Sequence, residues 1–160
     1  MEPARQPAVI FDRDGTLASC PLRPEDRSKS SWAAFNAALV FDPVVPVVAG
    51  LLRSIRPGVA RIMTSGRAAG DHAGDLSRRF AMRDWIAKHD LPIDLLLMRE
   101  GGDQRRDSVV KAEIYERDIA PFYDVRFAVD DRPQVLEVWE SFGIPVLRVS
   151  DPDIPFYLAG

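Results

Sequence analysis

Short apolar segments alternate along the chain with longer segments in which apolar residues recur at helical spacing. The strand-like segments lie near residues 8–12, 59–64, 93–98, 125–130 and 144–149. The helix-like segments cover residues 31–41, 45–55, 71–89, 108–122 and 133–142. This alternation is typical of a doubly wound α/β fold. We therefore predict a parallel five-stranded sheet with helices on both faces, in one domain over residues 1–160, a length that suits a single core.

Two segments fall outside this alternation. Residues 19–46 are polar and interrupted by four prolines. We interpret them either as a minimal cap, a small lid over the sheet edge, or as a surface loop followed by one amphipathic helix, and the two interpretations are compatible. Residues 151–160 contain two prolines and are expected to form a docked or frayed tail. Both Trp32 and Trp85 are expected to pack in the core.

Polar side chains follow three of the predicted strands at the point where each strand ends. The first strand runs into Asp12-Arg13-Asp14-Gly15-Thr16, the second into Thr64-Ser65-Gly66-Arg67, and the fourth into Asp130-Asp131-Arg132. In an open parallel sheet, ligands bind outside the carboxyl ends of the strands. The three segments are therefore predicted to meet in one crevice.

The first of these segments holds two carboxylates at i and i+2. On an extended strand Asp12 and Asp14 point the same way, and two like charges this close repel unless a proton or a cation lies between them. The pair indicates either a proton-sharing dyad or a hard-metal site. Hydrolysis of a phosphoester could use both acids, because Asp12 can attack phosphorus and Asp14 can protonate the leaving alkoxide and later activate water. Asp12, the main-chain carbonyl of Asp14, and Asp130 with or without Asp131 would supply oxygen ligands for Mg²⁺, with waters and a phosphate oxygen completing its shell.

The second segment and a later helix offer partners for phosphate oxygens. Ser65, Gly66, Arg67 and Lys111 are the candidates, and Arg67 could bind two oxygens at once. Lys111 lies in a helix for which Asp107 or Ser108 is predicted as the N-cap. Each feature also has a purely structural interpretation. Lys111 could be a solvated helix lysine, and Asp130-Asp131 could be an ordinary acidic turn in which Asp131 is the N-cap of the next helix. If none of these segments were functional, their residue types and their order along the chain would have to match a phosphate-binding site by coincidence. This favours the functional interpretation.

Composition narrows the class of protein. The chain carries 21 Lys and Arg against 24 Asp and Glu, a formal charge of −3, so it lacks the basic excess of a duplex-binding protein and would have to grip nucleic acid locally, at an end. Cys20 is the single cysteine and is expected to be an inert thiol. His72 and His89 are far apart, which makes zinc improbable. Apolar runs are too short for a membrane span, and we expect an intracellular, cytoplasmic protein.

Together the motifs resemble those of the haloacid dehalogenase phosphotransferase superfamily. Asp12-x-Asp14-Gly15-Thr16 is similar to its first motif, Ser65 to its second, Lys111 to its third and Asp130-Asp131 to its fourth. Residues 98–139 further resemble the 3′-phosphatase domain of bacteriophage-type polynucleotide kinase-phosphatases. The resemblance implies a role for each matching position: Asp12 the nucleophile, Asp14 the general acid and base, Arg23 and Arg67 substrate-gripping residues, Asp107 the partner of Lys111, and Asp130 and Asp131 the acids of the Mg²⁺ site.

No phosphate-binding Gly-x-x-x-x-Gly-Lys-Ser/Thr loop occurs in this sequence. The resemblance therefore implies a phosphatase alone, acting on 3′-phosphate ends of DNA or RNA, with a kinase or ligase supplied by another chain. A small-molecule phosphatase such as a nucleotidase is the alternative. A receiver-type signalling domain would need an aspartate after its third strand, where Met98-Arg99 stands, and a catalytically idle binding module would be expected to have lost a motif acid, yet all are present.

Overall fold

The structure is a computed structural model that describes residues 4–24 and 29–150. Its strands are β1 (Gln6–Asp12), β2 (Ala60–Ala68), β3 (Leu95–Arg99), β4 (Tyr123–Asp130) and β5 (Val146–Arg148). Its helices are α1 (Lys29–Ala37), a 3₁₀-helix (Ala38–Phe41), α2 (Pro46–Ser54), α3 (Ser77–Lys88), α4 (Asp107–Ile114), a π-helical turn (Tyr115–Ile119) and α5 (Pro133–Ser141).

The five strands form one parallel sheet in the order β3-β2-β1-β4-β5. The first strand is central, and both faces of a central parallel strand are covered by helices, which explains its continuous apolar sequence. Because side chains alternate along a strand, Val9 and Phe11 pack in the core on one face of the sheet while Ala8 and Ile10 pack in the core on the other. The predicted fold class is confirmed.

Helices α1, α2, α3 and the 3₁₀-helix cover one face, and α4 and α5 cover the other. Each face holds one fully buried tryptophan, Trp85 on the first and Trp139 on the second. Trp32 differs, because it is 41% exposed. The expectation that Trp32 packs in the core is wrong, and the reason is that its helix turns Phe35 inward instead.

The segment between β1 and α2 is fastened to the sheet where the structure describes it. Val45 N–H donates to the Leu17 carbonyl and Ser19 N–H donates to the Pro43 carbonyl. Phe35 and Leu39 are buried in the same core as the sheet. The interpretation of residues 19–46 as a lid stays a prediction, and the predicted tail at 151–160 lies outside the described residues.

Two helix boundaries differ from the sequence-based prediction. Helix α3 begins at Ser77 and not at residue 71, because the Asp75 carboxylate accepts the N–H groups of Asp71 (2.7 Å) and Ser77 (2.9 Å) and closes a loop there. The predicted helix over 108–122 ends as a π-helical turn, in which Ala120 N–H donates to the Tyr115 carbonyl. Within the described residues, every helix is too short or too polar to span a bilayer.

Candidate active site

The carboxyl ends of β1, β2 and β4 meet at one edge of the sheet, as the sequence predicts. Asp12 is in register with Thr64 of β2, and Asp130 ends the neighbouring strand. Carboxylate oxygens of Asp12, Asp130 and Asp131 all lie within 4.8 Å of one another. Three buried carboxylates therefore share one small volume.

Lys111 is the cation at the centre of this cluster. Its Nζ donates to Asp12 Oδ1 at 2.6 Å and to Asp130 Oδ2 at 2.9 Å, and it lies 3.7 Å from Asp107 Oδ2. The side chain is fully buried, which rules out the solvated-lysine interpretation. Burial lowers the pKa of Lys111, but the charges of Asp107, Asp12 and Asp130 outweigh it, so the net pKa is raised and the ammonium group is retained.

The acidic cluster still carries more negative charge than Lys111 neutralises. Burial raises the pKa of Asp12 well above its ordinary value, and Asp130 adds to the effect while Lys111 opposes it. The Thr16 hydroxyl donates to Asp12 Oδ2 at 3.0 Å. Asp131 Oδ1 is buried and has no hydrogen-bond partner among the described residues. These carboxylate oxygens, one of which has no hydrogen-bond partner, are the type of ligand that Mg²⁺ prefers.

Arg23 reaches into the same cluster from the loop after β1. Its Nη1 donates to Asp131 Oδ2 at 3.0 Å, and its Nη2 donates to the main-chain carbonyl of Asp14. Burial raises the pKa of Asp131, Arg23 opposes that effect and Asp130 adds to it, and the net result is a raised pKa. The structure therefore brings Arg23 beside the residues expected to hold the metal.

The Asp14 carboxylate turns away from the cluster and toward two arginines. Arg13 Nη1 lies 2.6 Å from Asp14 Oδ1, and Arg67 Nε lies 3.0 Å from Asp14 Oδ2. Burial raises the pKa of Asp14, but the charges of Arg67 and Arg13 outweigh it and hold the pKa far below its usual range. The side chain is thus an ionised carboxylate in this arrangement, and the Asp14 main-chain carbonyl is linked to the acidic cluster through Arg23, which bonds both this carbonyl and Asp131.

Arg13 is the functional neighbour that sequence reasoning missed. The side chain is fully buried, and besides Asp14 it donates to Asp42 Oδ2 (2.9 Å) and to the Leu39 carbonyl (2.8 Å). Its guanidinium carbon lies 4.3 Å from the centre of the Trp85 ring. The strand β1 ends at Asp12, so side-chain alternation does not extend to Asp14, and the expectation that Asp12 and Asp14 point the same way is wrong: the Asp14 carboxylate pairs with Arg13 and Arg67 instead. No sequence signal points to the distant Asp42.

Cys20 lies in this ion-pair network. Its Sγ is 3.3 Å from Asp14 Oδ1, and burial with the charge of Asp14 raises the pKa of the thiol. The inert-thiol expectation agrees with this geometry. Asp14, Cys20 and Asp42 also lie close enough to share an ion, but Arg13 and Arg67 already supply the positive charge there.

The end of β2 positions the expected phosphate-binding residues. Ser65 is fully buried and its Oγ accepts the Arg67 main-chain N–H at 3.2 Å. A Cβ at Gly66 would lie 2.1 Å from Asp107 Oδ1, so any other residue here would have to displace the Asp107 carboxylate. The Arg67 guanidinium carbon stands 3.5 Å from the centre of the Phe35 ring, and Arg67 Nη1 donates to the Phe35 carbonyl at 2.9 Å.

Asp107 contacts Lys111 as expected, but the predicted helix cap is wrong. Arg106 is the N-cap of α4, without a side-chain cap bond, and Asp107 is the first helical residue. From there its carboxylate lies 3.7 Å from Lys111, 3.7 Å from Arg99 and 3.8 Å from Arg132. Likewise the N-cap of α5 is Arg132 and not Asp131. Neither acid caps a helix: Asp107 lies near Lys111, Arg99 and Arg132, and Asp131 pairs with Arg23.

A cleft of about 850 Å³ opens from Asp12 and Asp14 to the surface. Its lining includes Trp32 and Asn36 of α1 and residues 102–106 of the loop between β3 and α4. Arginines line much of it: Arg67, Arg78, Arg99, Arg105, Arg106 and Arg132. The cleft can admit a negatively charged ligand larger than inorganic phosphate.

Similarity to known proteins extends over almost the whole chain. The family model of the polynucleotide kinase PNKP phosphatase domain matches residues 6–154. A chain of the Pnkp1/Rnl/Hen1 complex has 31% sequence identity and a TM-score of 0.75, covering 96% of this chain and 49% of that chain. A haloacid dehalogenase-like family protein from Streptococcus pneumoniae shares the fold, with a TM-score of 0.60 at 12% identity, over 91% of this chain and 85% of its own.

One relative matches over a shorter stretch. A putative bifunctional polynucleotide kinase/RNA ligase of Autographa californica nuclear polyhedrosis virus is 33% identical over 66 residues, which is 41% of this chain and 10% of the viral protein. The chain thus spans about half, or less, of the length of these kinase-related proteins. Because the family model covers far more than half of the chain, the protein belongs to the polynucleotide kinase PNKP phosphatase-domain family.

Proposed function

We propose that the protein is a Mg²⁺-dependent phosphomonoesterase that removes 3′-phosphates from DNA or RNA ends through an aspartyl-phosphate on Asp12. The observation that carries the proposal is the placement of Asp12. One of its oxygens is held by Lys111 and the other by Thr16, and the residue lines the arginine-rich cleft. A carboxylate fixed in this way is oriented for attack on a phosphorus atom that the cleft admits.

In the first step an Asp12 oxygen forms a bond to phosphorus and the bond from phosphorus to the ester oxygen breaks. The leaving alkoxide takes a proton from Asp14. Arg67 now pairs with Asp14, and a move of Arg67 onto the phosphate would weaken that pairing and raise the pKa of Asp14 toward the protonated form that this step needs. Lys111 neutralises charge shared by Asp12 and the phosphate oxygens.

In the second step water attacks the aspartyl-phosphate and Asp14 accepts its proton. The carboxylate form that Arg13 and Arg67 favour is the form that can accept it. The products are inorganic phosphate and free Asp12. Residues Asp12, Asp130 and Asp131 would hold Mg²⁺, which when bound supplies charge neutralisation on the phosphate oxygens.

Two observations support a nucleic-acid end as substrate. The family is that of polynucleotide kinase phosphatase domains, and the arginines gather at the cleft of a chain whose formal charge is −3. Such a distribution suits one or a few nucleotides at a strand end. The solved relative belongs to a Pnkp1/Rnl/Hen1 complex, so we also propose a kinase or ligase chain as partner. We further propose that the protein acts in the cytoplasm.

Phosphate release from matched substrates tests the proposal. The panel consists of one oligonucleotide with a 3′-phosphate, the same oligonucleotide with a 5′-phosphate, a 3′-mononucleotide, a 5′-mononucleotide and a chromogenic phosphoester. We expect the 3′-phosphorylated oligonucleotide to have the highest kcat/KM, activity to stop in excess chelator, and Mg²⁺ to restore it. Preference for 5′-mononucleotides would favour a nucleotidase, and full activity in chelator would contradict the metal requirement.

Asp12→Asn is the variant that tests the covalent step, and Asp84→Asn on the exposed face of α3 is its matched control. Loss of a catalytic nucleophile typically lowers kcat by a factor of about a thousand or more. Asp84→Asn should leave the rate unchanged. Mass spectrometry after rapid acid quench should find phosphate on the peptide containing Asp12, and turnover by Asp12→Asn close to that of wild type would exclude the mechanism.

A further inference from the structure

Trp32 is placed in the cleft in a way that packing does not explain. The other two tryptophans are fully buried, whereas Trp32 is 41% exposed and lines the cleft beside the arginines. Its indole N–H forms no hydrogen bond with any residue in the described ranges. A large aromatic surface left open beside a catalytic site is available to a flat apolar ligand group.

The position of the ring is linked to the phosphate-binding arginine. Trp32 packs edge-to-face on Phe35, with ring centroids 5.4 Å apart and planes at 76°. Phe35 in turn lies under the Arg67 guanidinium. The indole is thus two aromatic contacts away from Arg67, on the open side of the cleft, where the remainder of a substrate would lie if Arg67 held its phosphate.

The loop between β3 and α4 contributes to the same cleft a cation that is not neutralised by a described residue. Most cleft arginines are paired, Arg105 for example with Asp103 and Glu113. The Arg106 side chain is exposed and forms no ion pair within residues 4–24 and 29–150. An aromatic face and a cation that line one cleft are the combination with which proteins bind single-stranded nucleic acid.

We propose that Trp32 stacks on the base of the 3′-terminal nucleotide while Arg106 contacts the next backbone phosphate. The inference rests on the proposed function and adds a residue that determines which phosphoesters are preferred. Asn36, four residues along the same helix and also in the cleft, places an amide beside the ring, where it can bond a base edge. Stacking is tolerant of sequence, so all four bases should be accepted.

The experiment compares two 3′-phosphorylated oligonucleotides that differ only at the last nucleotide, which carries a base in one and is abasic in the other. Trp32→Ala should lower kcat/KM for the first by about five- to one-hundred-fold, the range for loss of one base–aromatic stack, and leave the abasic substrate unchanged. Trp32→Phe should retain most of the activity because it keeps an aromatic ring. Phe122→Ala removes an exposed aromatic outside the cleft and should change neither substrate.

Binding gives a second readout that needs no turnover. In an Asp12→Asn background the base-bearing oligonucleotide should quench tryptophan fluorescence, the abasic one should not, and Trp32→Phe should abolish the quench. Equal losses on both substrates, or no loss, would overturn the stacking role. Failure of the proposed function would give a different result: wild-type protein would hydrolyse the chromogenic ester and neither oligonucleotide. That result would overturn the stacking role too, but it would be seen in the wild type before any Trp32 variant is compared.

Discussion

At the residue scale, the site is defined by an imbalance of buried charge. Asp12, Asp130 and Asp131 are packed together, and Lys111 is fully buried between two of them. Removal of the cation Lys111 would leave uncompensated buried carboxylates, which costs more than an ion pair contributes, whereas removal of one of the acids relieves the repulsion among them. Substitutions here should therefore change both stability and rate.

Asp12→Asn should make the metal-free protein more stable at neutral pH. The pKa of Asp12 is raised in the folded protein, so ionisation of this group costs stability as the pH rises through that folded value. The gain from the amide should be largest at high pH and should vanish below about pH 4, where unfolded aspartate is also protonated. Urea unfolding in chelator at several pH values measures it, and a destabilised Asp12→Asn at pH 7 would contradict the prediction.

Lys111→Ala should lower kcat by at least about tenfold, because one well-placed charge contact in a water-poor site is worth more than about 1.4 kcal/mol. It should also lower the free energy of unfolding by about 3 to 5 kcal/mol without metal. Lys88→Ala, an exposed lysine of α3, is the control. Steady-state kinetics and urea unfolding test both parts, and an unchanged kcat would leave Lys111 with a structural role only.

At the scale of elements, the ends of the strands could be predicted from the sequence, whereas the boundaries of the helices between them were harder to predict. The apolar runs and the polar residues that end them located β1, β2 and β4 because a buried parallel strand needs apolar residues on both faces. The start of α3 was placed too early, since its delay depends on how the Asp75 side chain bonds nearby N–H groups. Such local bonding competes with helix formation and leaves no periodic signal.

Asp75→Asn should destabilise this loop at neutral pH and have little effect in acid. Its hydrogen bonds to the Asp71 and Ser77 N–H groups lower the pKa of Asp75 to about 2, so the carboxylate contributes stability above its unfolded pKa and loses that contribution as the pH falls toward 2. The difference in unfolding free energy between variant and wild type should shrink from pH 7 to pH 3. A constant difference would show that ionisation is not involved.

Gly66→Ala should be costly because β2 passes α4 without room for a Cβ. The added atom would lie 2.1 Å from Asp107 Oδ1, and the displaced carboxylate would lose its place near Lys111 and Arg99. Overpacking of this kind costs about 1 to 3 kcal/mol. Gly50→Ala in α2, where the Cβ meets nothing within 4 Å, should instead stabilise by up to about 1 kcal/mol.

The paired variant identifies the cause. Gly66→Ala combined with Asp107→Ala removes the atoms that collide, so its unfolding free energy should exceed the value expected from adding the two single effects. Strict additivity, measured by urea unfolding, would mean that the strain at Gly66 has another source.

At the scale of the whole molecule, the sequence predicted the sheet, its helices and the meeting of three strand ends. It did not predict the network of Arg13, Asp42 and Arg67, because Asp42 comes from a segment whose path is set by tertiary packing. Arg23 was placed by resemblance alone, and its contact with Asp131 could not be derived from spacing. Ion pairs between residues that are far apart in the sequence cannot be predicted from residue spacing alone.

The distribution of charge predicts a weak salt dependence of oligonucleotide binding. Within the part of the chain that the structure describes, few cleft arginines lack a carboxylate partner. Only about one to three backbone phosphates should therefore be neutralised, which gives a slope of log affinity against log salt of about −0.7 to −2 for a single strand. Arg106→Ala should make the slope shallower, whereas Arg126→Ala, outside the cleft, should not. A much steeper slope in equilibrium binding would indicate an extended nucleic-acid interface.

The buried guanidinium of Arg13 has a consequence for how far the chain near the cleft can move during turnover. It joins Asp14 to the Leu39 carbonyl and to Asp42, so the 3₁₀-helix over Ala38–Phe41 is fastened to the residues that follow β1. To swing this helix outward would break several charge-assisted bonds in a dry interior, an event on the scale of partial unfolding. We therefore expect the 3₁₀-helix to stay in place during turnover, and substrate and product to pass through the cleft that Asp12 and Asp14 line.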